Sequence, residues 1–279
     1  MLGAIIGDII GSRFEWAPIK SKDFELFTPA CHFTDDSVMT VAVGAALLSA
    51  SLKKPAEESS DSSLSPTGID PLVLREIAIE KLQDFGRRYP NAGYGERFAA
   101  WLEAEQPEAY SSFGNGAAMR VSCCAKAAQS EVELLTFVRA VTEITHNHPE
   151  GIKAAEAVAL AIYLAYQGAD KAEIRSRIEA DYYALDFTLD EIRPNYSFDV
   201  TCQGSVPQAI QAFLEAEDFT DAIRNAVSLG GDSDTQAAIT GSIAEAYYGL
   251  SEDLRKTAMS YLDPYLISWI LDFEARFHL

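Results

Sequence analysis

The chain has 279 residues, of which 48% are hydrophobic and 23% charged, so it can bury a sizeable core and is neither a disordered nor a fibrous polymer. Its 22 Lys and Arg stand against 42 Asp and Glu, a formal net charge of -20 at pH 7, which repels phosphate backbones and anionic membrane surfaces and excludes non-specific nucleic-acid binding. A small phosphate-bearing ligand suits this balance only where local groups receive it, such as N–H groups at a helix N-terminus or a bound cation.

In chain order, the first apolar run ends at Asp8 and has no basic segment before it, so it does not read as a secretory signal. Gly3, Gly7 and Gly11 would line one edge of a helix there, with close helix packing as their plain role. The apolar stretches 38–48 and 157–166 fall short of the ~20 residues that span a bilayer. A soluble, cytoplasmic protein with no membrane partner is the expectation. Residues 53–68, rich in Ser, Pro and charge, lack apolar periodicity and read as an exposed loop between two helices. Helical spacing of apolar residues then recurs over 72–85, 134–142, 152–166, 210–214 and 239–248, with Pro149 and Pro207 suited to first turns and Gly168 and Gly249 to helix ends. About a dozen helices in one domain, 1–279, follow from this pattern. Residues 186–204 read as a long loop that could border a pocket. Cys31, Cys123, Cys124 and Cys202 form no CxxC pair, so reduced thiols are expected, with Cys123 and Cys124 in the core.

Two acidic segments, Thr34-Asp35-Asp36-Ser37 and Gly230-Gly231-Asp232-Ser233-Asp234-Thr235, each precede an apolar helical run. Either alone reads as an N-cap with acidic residues favoured by the helix dipole. Together they repeat a hydroxyl beside closely spaced carboxylates, a hard-oxygen donor set suited to Mg2+, Mn2+ or Ca2+ rather than zinc. Were the two helix starts to meet, each pair of carboxylates at ~4 Å would cost roughly 4 kcal/mol at an effective dielectric near 20. Such a cluster requires cations or protons. The paired glycines would let the backbone turn sharply into the second helix.

Gly114-Asn115-Gly116 precedes a run of small residues, 117–128. It reads either as a plain turn or as a helix N-terminus whose N–H groups could hold a pyrophosphate without Lys or Arg. His146-Asn147-His148-Pro149 lacks the further ligands that zinc requires; capping by His146, with Pro149 opening the next helix, is the plainer reading. Arg120, Lys153, Tyr110, Phe113, Tyr196 and Phe198 are candidate contacts for a phosphate or an aromatic base. Nothing in the sequence selects among them.

These motifs carry a resemblance. Gly3-Ala4-Ile5-Ile6-Gly7-Asp8-Ile9-Ile10-Gly11 with Phe14-Glu15, Phe33-Thr34-Asp35-Asp36-Ser37, Gly114-Asn115-Gly116-Ala117-Ala118-Met119-Arg120, Thr145-His146, and Gly230 to Thr235 follow one another as in the ADP-ribosylglycohydrolase family. The resemblance implies an all-α, compact single-domain orthogonal helical bundle around a central dinuclear metal site holding two divalent cations, Mg2+ or Mn2+. It implies Thr34, Asp35, Asp36, Asp232, Asp234 and Thr235 as metal ligands. It places Gly114, Asn115, Gly116, Met119, His146 and His148 on the substrate side, and Glu15 over the scissile ribose. Asp35 or Asp36 would assist the attacking water, with Glu15 as acid/base or positioning group. The implied activity is metal-dependent hydrolysis at the anomeric carbon of ADP-ribose carried by a protein side chain or a small-molecule acceptor. The rival is a non-catalytic regulatory module that binds ADP-ribose or a nucleotide. Loss of a ligand would favour it; all six are present.

Overall fold

Short polar residues open most of the helices. Thr34, Asp70, Ser130, Asp170, Asp218 and Ser251 each accept a hydrogen bond from a backbone N–H in the first turn that follows, a contribution of about 1 kcal/mol apiece. The protein, a computed structural model describing residues 1–53 and 66–277, is helical throughout. From the N-terminus come α1 (Leu2–Gly11), a 3-10 turn (Ser12–Phe14), α2 (Asp35–Leu52), α3 (Pro71–Arg88), α4 (Glu96–Glu103), α5 (Gly116–Met119) and α6 (Ser122–Ala127). Then follow α7 (Glu131–Thr142), α8 (Pro149–Tyr166), α9 (Lys171–Asp181), α10 (Leu189–Ile192) and α11 (Cys202–Leu214). The chain closes with α12 (Phe219–Val227), α13 (Ser233–Tyr248), α14 (Glu252–Met259) and α15 (Pro264–Phe277). There is no strand among the described residues, only an isolated antiparallel bridge between Gly114 and Thr201.

The all-helical reading holds, with local differences. Among the described residues fifteen α-helices exceed the expected dozen, partly because α5 and α10 have four residues each, too few to show a period. The run 117–128 breaks into α5 and α6 at Arg120 and Val121. Pro207 lies inside α11 rather than in its first turn, and the long loop 186–204 contains α10, opened by a Thr188–Glu191 capping box. Pro149 does open α8, while Gly168 and Gly249 end helices with φ of 82° and 73°, where an L side chain would be strained. Most of the Ser-rich loop, 54–65, lies outside the described residues.

α2 extends beyond its apolar stretch to 18 residues, which makes it long and apolar enough to cross a membrane by length and composition. In the fold, 78% of it is buried within the protein, and its first turn carries Asp35 and Asp36. It is a core helix, packed chiefly on α3 and α15. At the centre lie α1, buried over its whole length, and α13, buried from Ser233 to Ala244. A Cβ added at Gly3, Gly7 or Gly11 would overlap the backbone of Gly241, Ala237 or Ser233 respectively. The glycine edge thus lets two helix backbones touch. Ile5, Ile6, Ile9 and Ile10, all fully buried, add about 1.5–3 kcal/mol each by leaving water. This packing runs α1 alongside the start of α13 and carries Asp8, the single charged residue of α1, to the acidic helix starts.

Candidate active site

The two acidic helix starts meet. Thr235 Oγ1, in the first turn of α13, donates to Asp36 Oδ2 in the first turn of α2 at 3.1 Å. Two carboxylate triads form around this contact, Asp8 with Asp36 and Asp234, and Glu15 with Asp232 and Asp234, each with ligand-capable atoms within 4.8 Å of one another. Asp234 belongs to both. Asp35 stands outside the triads, its backbone N–H donating to Ala92 O at 2.8 Å.

Asp8 is the residue that sequence reasoning left out of the site. Its signal was present, a lone carboxylate in an otherwise apolar, glycine-edged helix. Its Oδ1 accepts from Thr34 Oγ1 at 2.7 Å, and its Oδ2 accepts from the N–H groups of Thr34 at 2.9 Å and Ser37 at 3.0 Å and from the Ser37 hydroxyl. With both oxygens engaged, Asp8 fixes the start of α2 rather than offering an open ligand position. Asp36 differs: it is 2% exposed and its Oδ1 has no hydrogen-bond partner. A buried carboxylate oxygen left bare costs about 1–3 kcal/mol or more, and a cation would satisfy it.

Burial is the first cause of the raised pKa of every carboxylate here. It is opposed at Asp8 by the Ser37 and Thr34 hydrogen bonds and reinforced at Asp36 by the charges of Asp8, Asp35 and Asp232. Burial, then Asp8 and Asp232, push Asp35 up to about 8. Asp234 is held well above the usual carboxylate range by burial and by Asp232 and Asp36. Asp232 is raised by burial against hydrogen bonds that include Asn115 Nδ2 at 2.7 Å. Glu15, half-buried, is raised by burial and then by Asp232. Six crowded acids of one sign are the electrostatic signature of a cation site.

All but Asp8 border a cavity of about 530 Å³. Glu15, Asp35, Asp36, Asp232, Asp234 and Thr235 contribute to its wall, as do Gly114, Asn115, Gly116, Met119 and His146. Thr34 lies behind the wall, capping α2. His148 is not in the wall: its Nδ1 accepts the Glu150 N–H at 3.1 Å as the N-cap of α8, and its ring packs on Phe113. Of the further candidates, Tyr110, Arg120 and Phe198 reach the cavity, whereas Lys153 pairs with Glu150 at 3.5 Å, and Phe113 and Tyr196 stay outside the wall. Arg97 also lines it, a residue to which no sequence signal pointed. At the rim Trp16, 79% exposed, stacks on Phe198 with ring centroids 5.4 Å apart.

The Gly114-Asn115-Gly116 turn does not present a row of open N–H groups. The Gly114 N–H donates to Ser112 Oγ at 3.2 Å and the Asn115 N–H to Val200 O at 2.8 Å, and the helix behind them has one turn. The first partner is local, and the second is brought in from the segment just ahead of α11.

The family model described as ADP-ribosylglycohydrolase matches residues 1–276. The chain is 26% identical to the human ADP-ribosylhydrolase ARH3 over 324 aligned positions, covering 90% of this chain and 85% of that one. It is 27% identical to the ADP-ribosylarginine hydrolase Tri1 of Pseudomonas putida (90% and 70% covered) and 25% identical to the ADP-ribosyl-[dinitrogen reductase] glycohydrolase of Rhodospirillum rubrum (82% and 73%). Among solved structures, an ADP-ribosylglycohydrolase-related protein complex shares the fold with a TM-score of 0.67 at 22% identity, covering 98% of this chain and 94% of that one.

Proposed function

The chain belongs to the ADP-ribosylglycohydrolase family, and from that premise we propose that it is a divalent-metal-dependent hydrolase releasing ADP-ribose from a protein side chain or small-molecule acceptor. The observation that carries this reading is the convergence of the two acidic helix starts at a cavity wall, with Asp36 Oδ1 buried and bare. Thr34, Asp35, Asp36, Asp232, Asp234 and Thr235 would hold the cations. The four carboxylates among these six, Asp35, Asp36, Asp232 and Asp234, supply enough negative charge to balance two divalent cations. Mg2+ or Mn2+ held there would orient the ribose hydroxyls and lower the pKa of bound water.

In the proposed reaction a water oxygen bonds to the anomeric carbon as the bond from that carbon to the acceptor breaks. The bonding pair leaves with the acceptor, which takes up a proton, and the water gives one up. Glu15 suits the proton delivery. It lines the cavity beside Asp232 and Asp234, where its carboxyl can reach a leaving group held at the metal side of the cavity. Asp35 or Asp36 would accept the proton from water. Asn115 acts as a positioning residue, its amide anchoring Asp232.

The direct test incubates the protein and Mg2+ or Mn2+ with ADP-ribosylated arginine, serine, nucleobase and metabolite acceptors and follows free ADP-ribose. Release from at least one acceptor, lost in EDTA, is expected. Tight binding of ADP-ribose without release from any acceptor would overturn the hydrolase in favour of a binding module. For Glu15→Gln, kcat should fall about 100-fold, as for loss of a general acid, with the Kd for ADP-ribose within about twofold of the parent by calorimetry. An unchanged kcat would remove Glu15 from the chemistry.

A further inference from the structure

Arg120 has no role in the chemistry above, yet its placement is costly. It is 1% exposed and borders the cavity, and no carboxylate pairs with it among the described residues. Burial pushes its pKa down only to about 10, so the guanidinium stays charged at neutral pH. Its Nη2 donates to Thr145 Oγ1 at 2.6 Å and to Val141 O at 3.4 Å, while its Nε has no partner. A buried cation that spends its best hydrogen bond on a hydroxyl sets the direction of that hydroxyl.

Thr145 Oγ1 lies 2.7 Å from His146 Nδ1 and 3.4 Å from Thr142 O. The hydroxyl has one proton and two places to send it. Thr142 O already accepts the N–H groups of Thr145 at 3.1 Å and His146 at 2.8 Å, and 3.4 Å is at the limit of a hydrogen bond. Were Nδ1 to carry the ring proton, Thr145 Oγ1 would face two donors and its own proton would be left with that crowded carbonyl. The arrangement that satisfies every group runs from Arg120 to the Thr145 oxygen, and from the Thr145 hydroxyl to an unprotonated Nδ1. A neutral ring then carries its proton on Nε2.

We propose that Arg120 and Thr145 are positioning residues that fix the tautomer of His146, so that Nε2–H stands in the cavity as a permanent donor to an acceptor oxygen of bound ADP-ribose. The ligand in this statement rests on the proposed function. The tautomer does not. Nε2 makes no hydrogen bond among the described residues, and it faces Gly114 and Gly116, where an added Cβ would come to 3.8 and 3.5 Å from it. These glycines leave the donor uncovered. Burial, with Arg120 and Arg97 beside it, holds the pKa of His146 well below the usual value. The remaining titratable ring neighbour, Tyr110, at 6.0 Å between centroids, is itself raised by burial, so the imidazole stays neutral. An acidic protein thereby offers a donor to an anionic ligand without adding a mobile cation.

The test is nitrogen-15 NMR of the histidine rings in the ligand-free protein, with the His146 signals assigned by their loss in His146→Gln. A protonated Nε2 and an unprotonated Nδ1 are expected, and the reverse pattern overturns the proposal. Thr145→Val, nearly isosteric, should mix the tautomers and weaken ADP-ribose binding at least tenfold by calorimetry, while Thr145→Ser restores both within twofold. Thr145→Val with the parent's tautomer or the parent's affinity would also overturn it. Gly116→Ala gives an independent check, since covering Nε2 should weaken binding without altering the tautomer. The parent spectrum needs no turnover, so failure of the hydrolase reading shows separately, as a parent that releases no ADP-ribose.

Discussion

Asp234→Asn should abolish ADP-ribose release and at the same time raise the melting temperature of the metal-free protein. Asp234 is the acid shared by both triads, so replacing one carboxylate oxygen with an amide removes a charged donor from both. Asparagine has nearly the same volume, which leaves packing intact and isolates the charge. In the parent without metal, Asp234 is buried beside Asp232 and Asp36, and a carboxylate pair at ~4 Å repels by about 4 kcal/mol at an effective dielectric near 20 unless protons intervene. The amide relieves that cost. Metal should act unequally on the two proteins. Mg2+ at 100 times its Kd stabilises a native state by about 2.7 kcal/mol, roughly 5–10 °C for a chain of this size; the parent should show such a shift on passing from EDTA to Mg2+, and Asp234→Asn little of it. Calorimetric melts of both proteins in EDTA and in Mg2+ decide the matter. A parent indifferent to EDTA, with metal shown to be absent, would refute the cation site.

Gly7→Ala should be the most damaging single-methyl change in the chain. The added Cβ would overlap the carbonyl oxygen and carbon of Ala237, backbone atoms in the buried half of α13 that no rotamer change can move aside. Overpacking of side chains costs about 1–3 kcal/mol; a backbone obstacle places this case among the exceptional losses above about 4 kcal/mol. Gly44→Ala is the matched control, because its nearest obstacle is the flexible end of the Met1 side chain. Urea unfolding should separate the two variants clearly, with Gly7→Ala far less stable. The damage should reach the site as well. Asp8 is the next residue along α1, and its hydrogen bonds to Thr34 and Ser37 hold the start of α2 in place. Folded Gly7→Ala, assayed at low temperature, should therefore release ADP-ribose more slowly than Gly44→Ala. Equal stability of the two variants would show that α1 and α13 are not packed backbone to backbone.

The sequence by itself determined what depends on residues within a turn or two of one another. Apolar spacing set the helices, Thr34 and Asp232 marked two of their starts, Pro149 opened one, and Gly168 and Gly249 closed two. The four-residue spacing of Gly3, Gly7 and Gly11 already described a face without side chains. The matched chemistry of Thr34-Asp35-Asp36 and Asp232-Ser233-Asp234-Thr235 was legible for the same reason, since each acidic set is local. Partners far along the chain decided the rest. Asp8 joined the acids only because α1 lies against α13. The Asn115 N–H, expected to await a phosphate, was taken by Val200 O. Arg120, one of several indistinguishable candidates in the sequence, became the buried cation beside Thr145. Each of these outcomes is a choice of hydrogen-bond partner under burial, where a polar group bonds whatever the fold brings near it, and that choice is made by tertiary packing.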